Sequence, residues 1–270
     1  MSVPPFSSQK TLIASMLYLS PFHRVLRLSG SDALTFLQSQ LTNDVAALSV
    51  GGWQWQGYCS AKGRLLSTFA LARIADELWE AVVPTSTIEA LGKRLAMFRM
   101  RSKVVIEIAA DRSVGWAFDD VDPETSGFSL AMSDGRAYVL LDVSLAATLP
   151  TADDAIQQRW QRASIEAMQP EITAPTVEMF VPQMICWDTV QPGGGVSFSK
   201  GCYPGQEVVA RAHYRGAVKR LLEKVELSSA EMPQAGDEIV LNDGRSAEVC
   251  NVARTSERDA WALVVAAPSM

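Results

Sequence analysis

The stretch Ser199-Lys200-Gly201-Cys202-Tyr203-Pro204-Gly205-Gln206-Glu207-Val208-Val209-Ala210-Arg211 decides how this chain is read. It is a loop feeding a helix. Pro204 suits a first helical position, and Glu207 falls in the first turn, where a negative charge complements the helix dipole. That arrangement sets Cys202 just before a helix start, with Lys200 two residues earlier. Both features stabilise a thiolate and predict a reactive cysteine. The commoner reading of a free cysteine is a small buried hydrophobe. Cys59, Cys186 and Cys250, in strand-like or apolar contexts, keep that reading.

Outward from this stretch the chain mixes helices and strands. Arg24 to Leu28 reads as a strand, and Ser29-Gly30-Ser31-Asp32 offers a helix cap. Leu34, Leu37, Leu41, Val45 and Leu48 then predict one amphipathic helix that ends at Gly51-Gly52. Residues 53–60 and 65–74 read as strands joined by the turn Ser60-Ala61-Lys62-Gly63, followed by a strand from Leu78 to Val83. Thr85 or Ser86 can cap a helix whose apolar face is Ile88, Leu91, Leu95 and Phe98. Val104 to Ile108, Val114 to Phe118 and Tyr138 to Leu141 are strand candidates, and Asp153 to Met168 has helical spacing. Gln169 to Val196, with four prolines and Gly193-Gly194-Gly195, reads as loop around a site or as a connector. Beyond Lys219 come short strands with a hairpin turn at Asn242-Asp243-Gly244, which predicts a small antiparallel barrel. The order argues for α+β rather than a doubly wound sheet, with a body over 1–218, built of two interleaved subdomains, and a C-terminal barrel over 219–270.

Composition narrows the function. The chain has 270 residues, 48% hydrophobic, which suits two or three small domains with a sizeable core. A net charge of −6 argues against non-specific nucleic-acid binding as the main activity. Four scattered cysteines without a C-x-x-C pair, and only two histidines, predict reduced cytosolic thiols and no metal site. No apolar run reaches the roughly 18 residues of a membrane span. The apolar stretch from Thr11 to Leu19 after Lys10 reads as a lead-in to the first strand, so a cytoplasmic chain is expected.

The segment Lys200–Glu207 resembles the K-G-C-Y-x-G-Q-E motif of the YgfZ family, folate-binding proteins related to the aminomethyltransferase (T-protein) of the glycine cleavage system. Ala61-Lys62-Gly63-Arg64 is similar to that family's A-K-G-[RK] turn, Gly195-Val196-Ser197-Phe198 to its G-[IV]-S-F lead, and Ile165-Glu166-Ala167 to its I-E-A-G segment, with Met168 in place of the glycine. Leu26–Val45, Ala210-Arg211-Ala212 and the run from Arg215 to Arg220 match as well, so the resemblance spans nearly the whole chain.

The resemblance implies a three-domain cloverleaf that holds tetrahydrofolate or a one-carbon derivative centrally. It implies that Glu166 holds the pterin, that Tyr203, Gly205, Gln206, Glu207 and Arg211 belong to the folate site, and that Cys202 and Lys200 do the chemistry. It implies an accessory role for iron–sulfur enzymes, tRNA-modifying ones included, through transient contacts. The alternative is a tetrahydrofolate-dependent aminomethyltransferase. That enzyme needs an aspartate after the glycine turn, where Leu66, Ser67 and Thr68 stand. A folate-linked demethylating oxidase ranks last, since no G-x-G-x-x-G follows any strand. The basic run Arg211, His213, Arg215, Lys219 and Arg220 suits a solvated face, a folate glutamate tail or RNA, and leaves direct RNA binding open.

Overall fold

The computed structural model describes residues 17–118, 127–216, 218–228 and 232–269. Most of the apolar lead-in, residues 11–16, and Ala217 lie outside the described residues. Three antiparallel sheets carry the chain. The first has the order β3(Trp53–Cys59), β4(Leu65–Ala75), β5(Leu78–Pro84), β2(His23–Ser29), β6(Val105–Ile108). The second runs β1(Leu17–Leu19), β7(Arg112–Phe118), β9(Arg136–Asp142), β8(Phe128–Ala131). β1 thus precedes the first sheet in sequence yet pairs with β7 in the second, Tyr18 opposite Trp116.

The third sheet holds β10(Leu221–Ser228), β13(Asp259–Ala266), β12(Ser246–Arg254) and β11(Glu238–Val240) in that order. Where the sequence predicts a barrel, these strands form a four-stranded sheet with β10 and β11 at its edges. The hairpin turn lies where its residues demand it: Gly244 takes φ +85° and the Leu241 amide donates to the Arg245 carbonyl at 2.8 Å.

Helices pack on the first sheet. Helix α1(Ala33–Gln40) and helix α2(Thr85–Phe98) bury Phe36, Leu37, Ile88, Leu91 and Leu95 against Leu26, Leu28 and Trp79. Full burial of such a side chain stabilises by about 1.5–3 kcal/mol. Helix α1 stops about two turns short of the sequence expectation. Thr42 and Asn43 leave the helix because the sheet and the glycine run recruit them: Thr42 Oγ1 donates to the Gly195 carbonyl at 2.6 Å, and Asn43 Nδ2 to the carbonyls of Trp55 and Gly194. Leu41, Val45 and Leu48 stay buried, so the periodicity marked the core and not the helix length. Asp32 stands at the N-cap of α1, but its carboxylate accepts from the Lys103 amide at 2.8 Å. Phe98, assigned to the apolar face of α2, is 46% exposed.

After the short helix α3(Val143–Ala146), helix α4(Asp154–Glu166) starts at Asp153, whose Oδ1 accepts from the Ile156 amide at 2.9 Å. It ends in a left-handed turn at Met168, φ +52°, with the Gln169 amide closing on the Ser164 carbonyl at 2.9 Å. This is the position where the resembling segment carries glycine, the residue suited to that backbone. Residues 169–196 are ordered loop with two single 3-10 turns, Ala174–Thr176 and Pro182–Ile185. Helix α5(Gln206–Arg215) begins after Gly205, φ +82°, so Pro204 precedes the helix rather than opening it, and Glu207 sits in its first turn. One hydrophobic cluster joins all three sheets and α4, with Trp55, Trp116, Trp160 and Leu263 among its members.

Candidate functional site

A cavity of about 580 Å³ lies where the three sheets meet. Among the described residues seven aromatic side chains line it: Phe22, Trp55, Phe69, Trp116, Tyr138, Trp160 and Trp187. Trp116 and Trp160 stack with centroids 4.8 Å apart and planes 3° off parallel. The Arg136 guanidinium covers Trp160 at 4.8 Å, pairs with Asp134 at 2.7 Å, and donates to Ser164 Oγ and Gln169 Oε1. Gln169 in turn donates to the Gln191 carbonyl at 3.0 Å. The wall formed by α4 is thereby fixed to the glycine-rich loop before the cavity takes any guest.

Among the described residues one carboxylate lines this cavity, that of Glu171. Its backbone is held from the third sheet: the Glu171 amide donates to Asn251 Oδ1 at 3.0 Å and Asn251 Nδ2 donates to the Glu171 carbonyl at 3.3 Å. Its Oε1 lies 2.7 Å from His23 Nε2. A carboxylate can only accept, so Nε2 carries the proton. His23 Nδ1 contacts Ser20 Oγ at 2.8 Å, and the Tyr138 hydroxyl lies 3.3 Å from Nε2. Burial, reinforced by the Glu171 charge, pushes the Tyr138 phenol well above its ordinary range, which keeps it a neutral donor. The Glu171 side chain is 31% exposed, and its second oxygen takes no hydrogen bond among the described residues. The site therefore offers flat aromatic walls and one oriented acceptor, a combination that fits a planar heterocycle with adjacent N–H donors.

The sequence-predicted residues lie elsewhere. Glu166 follows Ile165, which faces the cavity, and one helical step turns it outward to Lys224, whose Nζ donates to Glu166 Oε2 at 2.6 Å. It is not among the lining residues, and nothing from Ser199 to Arg211 is either. Glu207 and Arg211 line a second groove of about 620 Å³ with Val208, Lys219 and Arg220. Gln206 is half-buried at the start of α5, its amide donating to the Tyr203 carbonyl at 3.1 Å. Tyr203 is buried, and burial raises its phenol. Gly205 abuts the Ser60–Gly63 turn.

Cys202 is exposed at the end of an ordered loop. Lys200 is not its partner. The Lys200 ammonium turns inward, 92% of the residue's surface being covered by the fold, and donates to the carbonyls of Gln38 (2.5 Å), Leu41 (2.5 Å) and Asn43 (3.2 Å) at the end of α1. It ties the Cys202 loop to the first sheet. Burial lowers its pKa to about 8, with Asp44 opposing. Sequence reading missed His23, Glu171 and Asn251. His23 is one of only two histidines, and Glu171 follows Pro170 at the exit of α4, but nothing local marks Asn251. No cluster of three potential metal ligands occurs among the described residues, and no described helix is long and apolar enough to cross a membrane.

Comparison with known proteins agrees with this fold. The fold is similar to that in the crystal structure of glycine cleavage system aminomethyltransferase T from Bartonella henselae, with a TM-score of 0.69 over 96% of this chain and 81% of that one, at 12% identity. No family model matches the chain. An uncharacterized protein of Haemophilus influenzae is 29% identical over 217 residues, 80% of this chain and 75% of that one. The tRNA-modifying protein YgfZ of Photorhabdus laumondii is 30% identical over 97% of this chain and 88% of its own length. That of Edwardsiella ictaluri is 32% identical over 277 residues, covering 90% of this chain and 81% of the relative. With a T-protein-like fold beneath that similarity, the chain belongs to the YgfZ family.

Proposed function

We propose that the protein binds tetrahydrofolate or a one-carbon derivative in the central cavity and serves as an accessory factor for iron–sulfur enzymes, including those that modify tRNA. The observation that carries the folate part is Glu171: one half-covered carboxylate, oriented by His23 and Asn251, amid seven aromatic rings. The pterin 2-amino group and ring N–H form the paired donors such a carboxylate accepts, and the rings supply stacking surface. Glu171 takes the place that the resemblance gave to Glu166, whose carboxylate is engaged by Lys224. Cys202, exposed on its loop, acts toward a transient partner in the cytoplasm, while Lys200 positions that loop. The relatives' description as tRNA-modifying proteins supports the partner class.

The aminomethyltransferase reading has less behind it. Thr68 lines the cavity with its Oγ1 accepting from the Ile172 amide at 2.9 Å, Ser67 meets Thr87, and no carboxylate stands on β4. The deciding experiment is calorimetric titration of the purified protein with reduced folates. Saturable one-to-one binding is expected, and absence of binding at millimolar folate removes the proposal.

A further inference from the structure

Several of this protein's cations pair with its own carboxylates: Arg27 with Glu80, Arg136 with Asp134, Arg245 with Glu223, and Arg220 with Glu248. Around α5 a group of cations forms no such pair. Lys62, Arg211, Arg215 and Lys219 have no carboxylate within ion-pair distance among the described residues. Lys62 belongs to this surface because its turn packs on the first turn of α5, where a methyl group on Gly63 would fall 2.8 Å from Val208 Cβ. Glu207 is the carboxylate on the same groove, one turn before Arg211, and it forms no ion pair there. In a chain of net charge −6, these four cations form a local basic group.

Aromatic rings interleave with them. Tyr214 is 71% exposed, between His213 and Arg215. Its ring stands edge-on to His213, centroids 5.0 Å apart, and His213 stacks on Phe198 at 3.7 Å, with Asp188 Oδ2 at 4.0 Å from its Nδ1. Phe198 lies in the loop that leads to Cys202, so this stack joins the charged face to the exposed thiol.

We infer that the outer face of α5, together with Lys62, is a contact surface for unpaired RNA, and that it brings the bound strand to the Cys202 loop. Free Lys and Arg side chains track a phosphate backbone, and an exposed tyrosine offers a base a stacking platform. An acidic protein segment would use the cations but has no need of the exposed ring, which is why RNA is favoured. The surface is separate from the folate cavity, none of whose lining residues lies on α5.

The test is fluorescence anisotropy of a labelled single-stranded RNA of about 12 nucleotides, a length that spans one such site, titrated at several salt concentrations. The wild type should bind at low salt. Arg215→Gln with Lys219→Gln should weaken binding at least tenfold, and the salt slope should fall by about 0.7 for each cation removed. Tyr214→Ala should weaken binding with the slope unchanged. Tetrahydrofolate affinity should be the same in all three proteins, so failure here is distinguishable from failure of the folate reading. RNA binding equal to wild type in both variants overturns the inference. So does capture of a polyglutamate peptide in preference to RNA, which would assign the face to an acidic protein.

Discussion

Gly205 rests directly on Gly63. A methyl group on Gly205 would fall 2.7 Å from both the Cα and the amide nitrogen of Gly63 and 2.3 Å from the Ser60 carbonyl oxygen. Both glycines have positive φ, +82° and +70°. The A-K-G turn and the K-G-C-Y-x-G-Q-E segment, 138 residues apart from Lys62 to Lys200 by their numbering, thus form one backbone-to-backbone contact that seats α5 and sets where the Cys202 loop begins.

Gly205→Ala should be destabilised on two counts. The left-handed backbone costs a non-glycine residue about 1–2 kcal/mol, and the collision with backbone that cannot swing aside adds about 1–3 kcal/mol of overpacking. Gly216→Ala is the control, since it shares the positive φ, +59°, but meets nothing within 4 Å. Urea unfolding should rank wild type above Gly216→Ala and that above Gly205→Ala. Equal losses in the two variants would remove the contact as a structural constraint.

The proposed folate site makes a prediction that separates two glutamates five residues apart. Glu171→Gln loses the charge that faces the cavity and should cost about 1.5–3 kcal/mol of affinity for a reduced folate, the range for a hydrogen bond to a charged group. Glu166→Ala removes only an exposed pair with Lys224, 59% open on the glutamate side, and should leave affinity within about twofold. Calorimetry with the reverse ranking would return the pterin to Glu166.

Much of the fold was legible in the sequence because strand periodicity and turn residues are local. The pairs 53–60 with 65–74 and the Asn242-Asp243-Gly244 hairpin read directly. Helix α1 did not, because Leu41, Val45 and Leu48 keep a helical spacing while Thr42 and Asn43 are drawn off by Gly194 and Gly195, some 150 residues away. β8 and β1 were too short to register. At the site the motif was legible and the cavity was not: His23, Tyr138, Glu171 and Asn251 come from four separate elements, and only folding brings them together. Lys200 misled because sequence proximity to Cys202 says nothing of which way a four-carbon stem turns.

Lys200 predicts a pH signature. Its amine titrates at about 8 in the folded protein against an ordinary 10.5. Between those values the unfolded chain holds more protons, so this lysine's contribution to stability rises with pH across that window. Lys200→Met should be destabilised by about 1–3 kcal/mol at pH 7, because the carbonyls at the end of α1 lose their donor. The advantage of wild type over this variant should widen from pH 8 to pH 10 in urea midpoints. A gap that stays flat would show that burial does not set the charge of Lys200.

The cysteines give the last prediction. Burial pushes the Cys59 thiol up to about 12 and raises Cys250 further still, with Glu171 adding to the latter. Half-burial and the neighbouring Asp188 raise Cys186 as well. Only Cys202 is exposed, and alkylation requires both access and thiolate. At pH 7.5 iodoacetamide should therefore modify Cys202 first, with a single mass increment that Cys202→Ala abolishes. The same variant should keep the wild-type melting temperature and folate affinity, since the side chain lines neither the central cavity nor the groove beside α5 and packs in no core cluster of the described residues. In cells lacking the protein, Cys202→Ala should nevertheless fail to restore iron–sulfur enzyme activity. Labelling that begins at Cys186 would remove exposure as the basis of reactivity, and full restoration by Cys202→Ala would show that the proposed accessory role does not need the thiol.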